Sequence, residues 1–272
     1  LLLPSADRCL QQGSEDAASE VVVVRIPNKY MKNAIISVIF CISWELNAQI
    51  ALPTFQGVHK PQKKTITSIL VYYDSFNSGE ESSQLAGAAM DLTVSAHRTS
   101  SGASGFASAY DSGEWDVVVI SIPGSSIPND VKTRVLDRLG NNEKIIFSYW
   151  NLNGDSDLKT ALEVSTSNYS SPLDIYPNNG ASINLFTNNE TVTSPLENSH
   201  DAGINGQYLT ATSGGEALFS AGSVSGSTIG MLTNSGSAIV LGFLPWDFRT
   251  TNADSDGTND IVELFINMLS YL

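Results

Sequence analysis

From residue 65 onward, short runs of β-branched and aromatic residues alternate with longer amphipathic segments. Four apolar runs have the length and continuity of buried strands, at residues 66–73, 115–121, 144–150 and 237–243. A shorter strand is predicted at residues 92–97. Nearly continuous apolar strands are typical of parallel sheets that helices cover on both faces.

The segments between these runs predict helices. They cover residues 82–90, 104–110, 128–139, 155–164 and 261–272. Pro128 begins one of them and Gly140 follows its end, the usual asymmetry of helix termini. Strands and helices in alternation predict an α/β fold, a doubly wound, mostly parallel flavodoxin-like sheet with helices on both faces.

The second half of the chain has a different pattern. Between residues 165 and 236, Asn, Ser, Thr and Gly are abundant. Short apolar runs remain at residues 183–186, 207–211, 217–221 and 228–232. We expect these to be short, partly antiparallel strands added to one edge of the sheet.

A signal-like segment precedes the predicted domain. Lys32 follows Met31, an apolar run occupies residues 34–44, and the small residue Ala48 ends the segment. This layout predicts a secretory signal peptide at 31–48. The alternative is a buried strand or helix of the fold. A membrane span needs about 20 apolar residues, more than this run supplies.

Cleavage after Ala48 would divide the chain into four parts. Residues 1–30 are then an upstream leader outside the mature protein, and residues 49–64 are a linker that contains Pro53 and Pro61. Residues 65–272 form a single α/β domain. We expect a secreted, periplasmic or cell-surface protein, with a Gram-negative bacterium as its source.

Charge and cysteine content limit the partners and the catalytic chemistry that can be expected of the chain. Residues 49–272 contain 10 Lys and Arg against 23 Asp and Glu. Such an acidic surface disfavours nucleic acid and anionic lipid as partners. The only two cysteines, Cys9 and Cys41, precede the cleavage site. The mature chain would therefore have no disulfide and no thiol nucleophile.

The order of strands and the Gly242-Phe243-Leu244-Pro245-Trp246-Asp247-Phe248 segment resemble the class I glutamine amidotransferase-like superfamily. The chain looks most similar to its secreted, non-amidotransferase, trehalose-utilisation-like members. The resemblance covers residues 65–272.

Family enzymes place a Cys within Gly-x-Cys-x-Gly after a central strand and a His-x-Glu pair late in the chain. Residues 147–151 read Phe-Ser-Tyr-Trp-Asn, and no His follows Leu241. The resemblance therefore implies a non-catalytic binding or accessory module.

A secreted hydrolase is the alternative function. Its weak catalytic candidates are Ser148, Asp74 and Asp247, at the carboxyl ends of predicted strands. The Gly-x-Ser-x-Gly elbow of serine hydrolases is absent, and His59, His97 and His200 are scattered. Residues 74–79 resemble a hydroxyl-rich flavin loop only loosely, so no nucleotide or flavin is expected.

Several aromatic residues follow predicted strands. They are Phe76, Tyr149, Trp150 and Trp246. Open α/β sheets bind ligands outside the carboxyl ends of their strands, so these rings could bind a carbohydrate or another cell-surface ligand. Alternatively, they close the core.

One loop near the end has the spacing of a calcium site. Oxygen ligands recur as in an EF-hand loop, with glycine at position 6 and glutamate at position 12. The candidate metal ligands are Asn252, Asp254, Asp256, Thr258, Asp260 and Glu263. The loop departs from the pattern at position 1, which is Asn, and in its poor incoming helix. The alternative is a solvated acidic loop in which Asn259 or Asp260 caps the last helix.

Overall fold

The computed structural model describes residues 65–74, 81–99, 102–169, 173–200 and 206–272. The leader, signal peptide and linker predicted within residues 1–64 lie outside the described residues, as does Phe76. The described residues all belong to one compact unit, Thr65–Leu272.

The central element is an eight-stranded mixed sheet. Its strands follow the order β2-β1-β3-β4-β10-β9-β8-β6, and β5 pairs with β7 in a separate two-stranded antiparallel ribbon. The strands are β1 (Ser68–Tyr73), β2 (Thr93–Arg98), β3 (Val117–Ile122), β4 (Ile145–Tyr149), β5 (Val164–Tyr169), β6 (Ile175–Pro177), β7 (Gly206–Ala211), β8 (Glu216–Ala221), β9 (Thr228–Thr233) and β10 (Ala238–Leu241).

Helices cover both faces of this sheet. They are α1 (Ser82–Ala89), α2 (Ala103–Ser112), α3 (Asn129–Gly140), α4 (Ser156–Ala161) and α5 (Asp260–Tyr271). Alternate residues of the strands supply two separate cores, as the two-residue period of a strand requires. Val71 and Ile146 belong to the core that α1 and α5 cover. Tyr72 and Phe147 belong to the core under α2, α3 and α4.

Strand direction changes at one position in the sheet. Strands β2, β1, β3, β4 and β10 run parallel to one another. From β10 to β9, and on through β8 to β6, the pairs are antiparallel. The prediction of a doubly wound, mostly parallel α/β sheet with short added strands is therefore confirmed.

Two local predictions were wrong. Residues 183–186 form turns and bends rather than a strand, although Leu185 and Phe186 are buried there. The helix predicted at 155–164 ends at Ala161, because Glu163 adopts a φ of 57°. Left-handed backbone cannot continue a right-handed helix, and β5 begins at the next residue.

None of the helices in the described part of the chain combines the length and the hydropathy that crossing a bilayer requires.

Candidate functional site

The first two connections of the sheet cross opposite faces. One leads from β1 to β2 and the other from β2 back past β1 to β3. Helix α1 lies over one face and α2 over the other. Doubly wound sheets bind ligands in the crevice at such a switch point, outside the carboxyl ends of the strands.

Asp74, the residue after β1, cross-links three strand ends. One carboxylate oxygen accepts hydrogen bonds from the backbone N–H groups of Gly124 at 2.8 Å and Ser125 at 2.5 Å. The other accepts from the hydroxyls of Ser125 at 2.8 Å and Thr99 at 3.1 Å. The side chain is 7% exposed. Both oxygens are thus engaged in holding the loops after β2 and β3 in place.

A second carboxylate at this end of the sheet was missed by the sequence analysis. Glu81 caps α1, and its side chain accepts from the backbone N–H of Ser83 at 2.8 Å. Burial raises the pKa of Glu81, while hydrogen bonds from Ser83 and Ser121 oppose that rise. Glutamate is not among the residues preferred at N-caps, so no local signal pointed to this residue.

Ser148 lies inside the sheet. Its side chain is 1% exposed, and its hydroxyl donates a hydrogen bond of 2.9 Å to the carbonyl of Phe243. The histidines lie elsewhere: His97 contacts Ser95, and His200 contacts the hydroxyls of Ser199 and Thr250. His59 is outside the described residues. Ser148 therefore makes a structural hydrogen bond, and neither of the histidines in the described part of the chain is its partner.

Asp247 lies in the 3-10 turn Pro245–Phe248, beyond β10, and is buried. Its backbone carbonyl accepts from the N–H groups of Ser199 and His200. Burial, and then the charge of Asp247, raises the pKa of Tyr169. Strand β1, which Asp74 follows, lies three strand spacings from β10, about 14 Å. Glycosidase carboxylate pairs lie only about 5–9.5 Å apart.

The predicted aromatic residues have different environments. Tyr149 is 4% exposed, and its ring packs edge-on against Phe147 and Trp150, so it belongs to the core. Trp150 is half-buried, and its indole N–H donates to the carbonyl of Ser125 at 2.8 Å.

Trp246 is also half-buried. The Arg249 guanidinium lies 3.5 Å from the centre of its ring, a cation–π contact, and His200 packs edge-on against it.

The ribbon of β5 and β7 adds aromatic residues that the sequence analysis did not single out. The rings of Tyr169 and Tyr208 lie 5.0 Å apart. The Tyr169 hydroxyl donates to the carbonyl of Gly242 at 3.4 Å. The same carbonyl accepts from the backbone N–H of Gln207 at 2.6 Å, and the Gln207 amide donates to the carbonyl of Trp150.

These contacts connect the ribbon to the carboxyl ends of β4 and β10. We call Trp150, Tyr169, Tyr208 and Trp246 the aromatic edge. The Tyr169 hydroxyl contacts the carbonyl of Gly242, and Trp246 lies in the same turn as Asp247. A strand as polar as β5 lacks the hydrophobic period by which a strand is recognised in the sequence. For that reason Tyr169 was not predicted to belong to this site.

The acidic loop after β10 brings three of its predicted metal ligands together. One oxygen each of Asp254, Asp256 and Glu263 lie within 4.8 Å of one another. Burial, followed by the charges of Asp256 and Asp254, raises the pKa of Glu263 to about 7. Three like charges therefore converge on one point.

The other three predicted ligands, Asp260, Thr258 and Asn252, differ in their burial and their hydrogen bonds. Asp260 is buried in the first turn of α5 and accepts from the backbone N–H of Ala253 at 3.3 Å. Thr258 donates its N–H to Asp256 at 2.7 Å. The side-chain oxygen of Asn252 is buried.

No protein-family model matches the chain, and no curated protein matches it. Among solved structures, a chain in the structure of PurLQS from Thermotoga maritima has 11% identity and a TM-score of 0.42, covering 76% of this chain and 99% of that one. A glutamine amidotransferase from Thermotoga maritima has 9% identity and a TM-score of 0.41, covering 75% and 96%.

A ThuA-like protein from Parabacteroides merdae has 12% identity and a TM-score of 0.41, covering 75% of this chain and 88% of that one. The solved structures that are similar to this chain thus include a glutamine amidotransferase and a ThuA-like protein.

Proposed function

We propose that residues 65–272 form a secreted, non-catalytic binding or accessory domain whose ligand binds at the aromatic edge. The observation that carries this proposal is the hydrogen bond from Ser148 to Phe243. The resemblance matches residues 147–151, which include Ser148, to the segment that carries the nucleophile in family enzymes, and here the Ser148 hydroxyl is buried and donates to a backbone carbonyl. A nucleophile needs an adjacent base and an exposed attacking atom.

The carboxylates at the strand ends support the same proposal. Asp74 already accepts four hydrogen bonds. A general base must be able to reach and take a substrate proton, and this carboxylate is occupied by structural donors. The separation of β1 from β10 also disfavours a paired role for Asp74 and Asp247.

A neutral carbohydrate is the ligand class that fits the aromatic edge best. The Trp and Tyr side chains of this edge are half-buried and leave part of their apolar surface exposed. Small-molecule sites are lined predominantly by aromatic and apolar side chains. The excess of acidic residues over basic ones disfavours an anionic ligand.

A turnover assay tests the absence of catalysis. The purified full chain is incubated with nitrophenyl esters, nitrophenyl glycosides and glutamine, and product is followed over hours. We expect no turnover above that of buffer. Turnover that disappears in Ser148→Ala or Asp247→Asn would overturn the proposal in favour of a hydrolase.

Tryptophan variants test the ligand site. The full chain is titrated with soluble neutral glucans, mannans and xylans, and binding is read by calorimetry. For a polysaccharide that binds, Trp150→Phe and Trp246→Phe should weaken affinity about tenfold, the equivalent of about 1.4 kcal/mol. Trp115→Phe is the matched control, because Trp115 precedes β3 at the opposite end of the sheet. Equal losses in all three variants would contradict a site at the aromatic edge.

Export has its own measurement. When residues 1–272 are expressed in a Gram-negative host, mass spectrometry of the exported protein should show an amino terminus at Gln49. A product that retains residues 31–48 would contradict the secretion proposal and leave the binding proposal unaffected.

A further inference from the structure

The acidic loop and the start of α5 contain two buried oxygens, one on Glu263 and one on Asn252, that have no hydrogen-bond partner among the described residues. One is Oε2 of Glu263, a side chain that is only 2% exposed, and the other is Oδ1 of Asn252. A buried acceptor without a donor is destabilising, and a charged one is more so. Both atoms are acceptors only, so a cation would satisfy them as well as an N–H group would.

The two residues also have meaningful positions in the sequence. Asn252 is position 1 and Glu263 position 12 of the twelve-residue pattern, the positions that begin and end an EF-hand loop. Two of the intervening ligand positions, Asp254 and Asp256, are exposed, and each supplies an oxygen within 4.8 Å of that of Glu263. Burial of Glu263 and exposure of the two aspartates form a site with a closed inner side and an open outer side.

We propose that Asp254, Asp256 and Glu263, together with the side-chain oxygen of Asn252, bind one calcium ion. Calcium–oxygen distances of 2.3–2.6 Å allow the ligand oxygens around one ion to lie up to about 5 Å apart. The three carboxylate oxygens lie within 4.8 Å of one another, which is inside this limit. A site built from protein oxygens suits calcium, because magnesium usually keeps several of its waters.

Neighbouring features agree with a cation at this place. The left-handed φ of 106° at Gly257 provides the sharp turn at position 6 of the pattern. Glu190 also acts on Glu263 through its negative charge, and both residues line one cleft with Thr258 and Ile266. A divalent ion would relieve the repulsion among these carboxylates.

The ion would join two parts of the domain. Asp254 and Asp256 belong to the loop, whereas Glu263 lies in the first turn of α5. One helical turn further, Asn267 holds the backbone of residues 189 and 190. Calcium would therefore fix the loop after β10, α5 and the segment beside it as one unit.

Calorimetry and thermal unfolding test the site. The full chain is treated with EDTA, dialysed, and titrated with calcium chloride or magnesium chloride. We expect one calcium per chain, weaker magnesium binding, and a melting temperature that rises by roughly 5–10 °C when calcium exceeds its Kd a hundredfold.

Variants make the assignment specific. The double variant Asp254→Asn/Asp256→Asn changes exposed residues and should fold, yet its calcium heat and its melting shift should disappear. Glu263→Gln should lose the calcium response as well, while its melting temperature in EDTA should exceed that of the parent, because a buried charge is removed.

The control is Glu114→Gln/Asp130→Asn, which removes the same charge from exposed residues outside the loop. It should keep the full calcium response. The proposal is overturned if calcium produces neither heat nor a melting shift, if magnesium binds as tightly, or if the loop double variant responds like the control.

Discussion

The hydroxyl of Ser148 donates a hydrogen bond of 2.9 Å to the carbonyl of Phe243, two residues beyond the end of β10. This bond joins the central strand β4 to the chain just before the Pro245–Phe248 turn. It also explains why a serine lies within a strand whose other residues are apolar and aromatic.

Replacing Ser148 by alanine should therefore affect stability and leave binding unchanged. The Phe243 carbonyl would lose its donor in a buried environment, so we expect a loss of about 1–3 kcal/mol in the free energy of unfolding. Urea denaturation measures this loss. Unchanged stability would show that water satisfies the carbonyl and that the hydrogen bond is dispensable.

Asn267 should be among the most sensitive polar residues of the domain. It is fully buried in α5, and its oxygen accepts from the N–H groups of Asn189 and Glu190, while its amide donates to the carbonyls of Leu185 and Glu190. Asn267→Leu should cost about 3 kcal/mol or more, because buried backbone groups lose their partners.

Hydrogen exchange provides the specific readout for Asn267. The amide protons of Asn189 and Glu190 should exchange faster in the variant. Asn188→Ala is the control, because Asn188 is exposed and donates a single hydrogen bond to the carbonyl of Asn267. If both amides keep their protection in Asn267→Leu, the side chain does not hold this segment.

Two glycine-to-alanine substitutions should have opposite effects. A Cβ at Gly242 would lie 2.0 Å from the carbonyl oxygen of Gln207, so Gly242→Ala must move backbone and should cost about 1–3 kcal/mol or more. A Cβ at Gly140, the last residue of α3, meets nothing within 4 Å.

Gly140→Ala should accordingly stabilise the domain by about 0.4–1 kcal/mol, because alanine restricts the unfolded chain. Thermal unfolding compares the two variants directly. Similar melting temperatures for both would contradict the close packing of the ribbon against β10.

Asp155 should stabilise the domain in a pH-dependent way. It caps α4 by accepting from the N–H of Leu158, and it pairs with Lys132 at 2.8 Å. Burial alone would raise the pKa of Asp155, but the hydrogen bonds from Lys132 and Leu158 outweigh it and hold the pKa below its ordinary value. Such a carboxylate stabilises the fold above its unfolded pKa, and the contribution fades as the pH falls through the folded value.

Asp155→Ala should thus cost about 1 kcal/mol at neutral pH, with the difference from the parent shrinking as the pH falls below about 4. Asp157→Ala is the control, because Asp157 pairs with the same lysine from an exposed position. It should cost less than about 0.5 kcal/mol. A loss that is independent of pH would contradict the role of the Asp155 charge.

The sequence predicts the parallel half of the sheet well because those strands are buried on both faces. Val117–Ile122 is buried at every residue, so its apolar run is continuous. Strand β5 could not be found in this way. Its sequence, Val-Ser-Thr-Ser-Asn-Tyr, is largely exposed, and its pairing with β7 supplies the order that its composition does not.

Residues 183–186 show the opposite error. Leu185 and Phe186 are apolar because they fill the core, while the backbone around them turns. Apolar residues indicate burial. They indicate a strand only when they recur with the two-residue period of a strand.

The candidate sites were predictable to different degrees. The candidate ligands of the acidic loop lie close together in the sequence. Their spacing alone therefore predicted that Asp254 and Asp256 would lie near Glu263. The aromatic edge depends on contacts between distant segments. Tyr149 and Trp150 are neighbours in sequence, yet the first points into the core and the second lies at the margin, a distinction that the order of residues does not contain.

Strand β10 lies between β4 and β9 and joins the parallel half of the sheet to the antiparallel half. During synthesis or export, residues 68–149 and 206–233 emerge before the strand that unites them. The sheet can therefore close only after Ala238–Leu241 has been released, which makes completion of this domain a late event governed by long-range contacts.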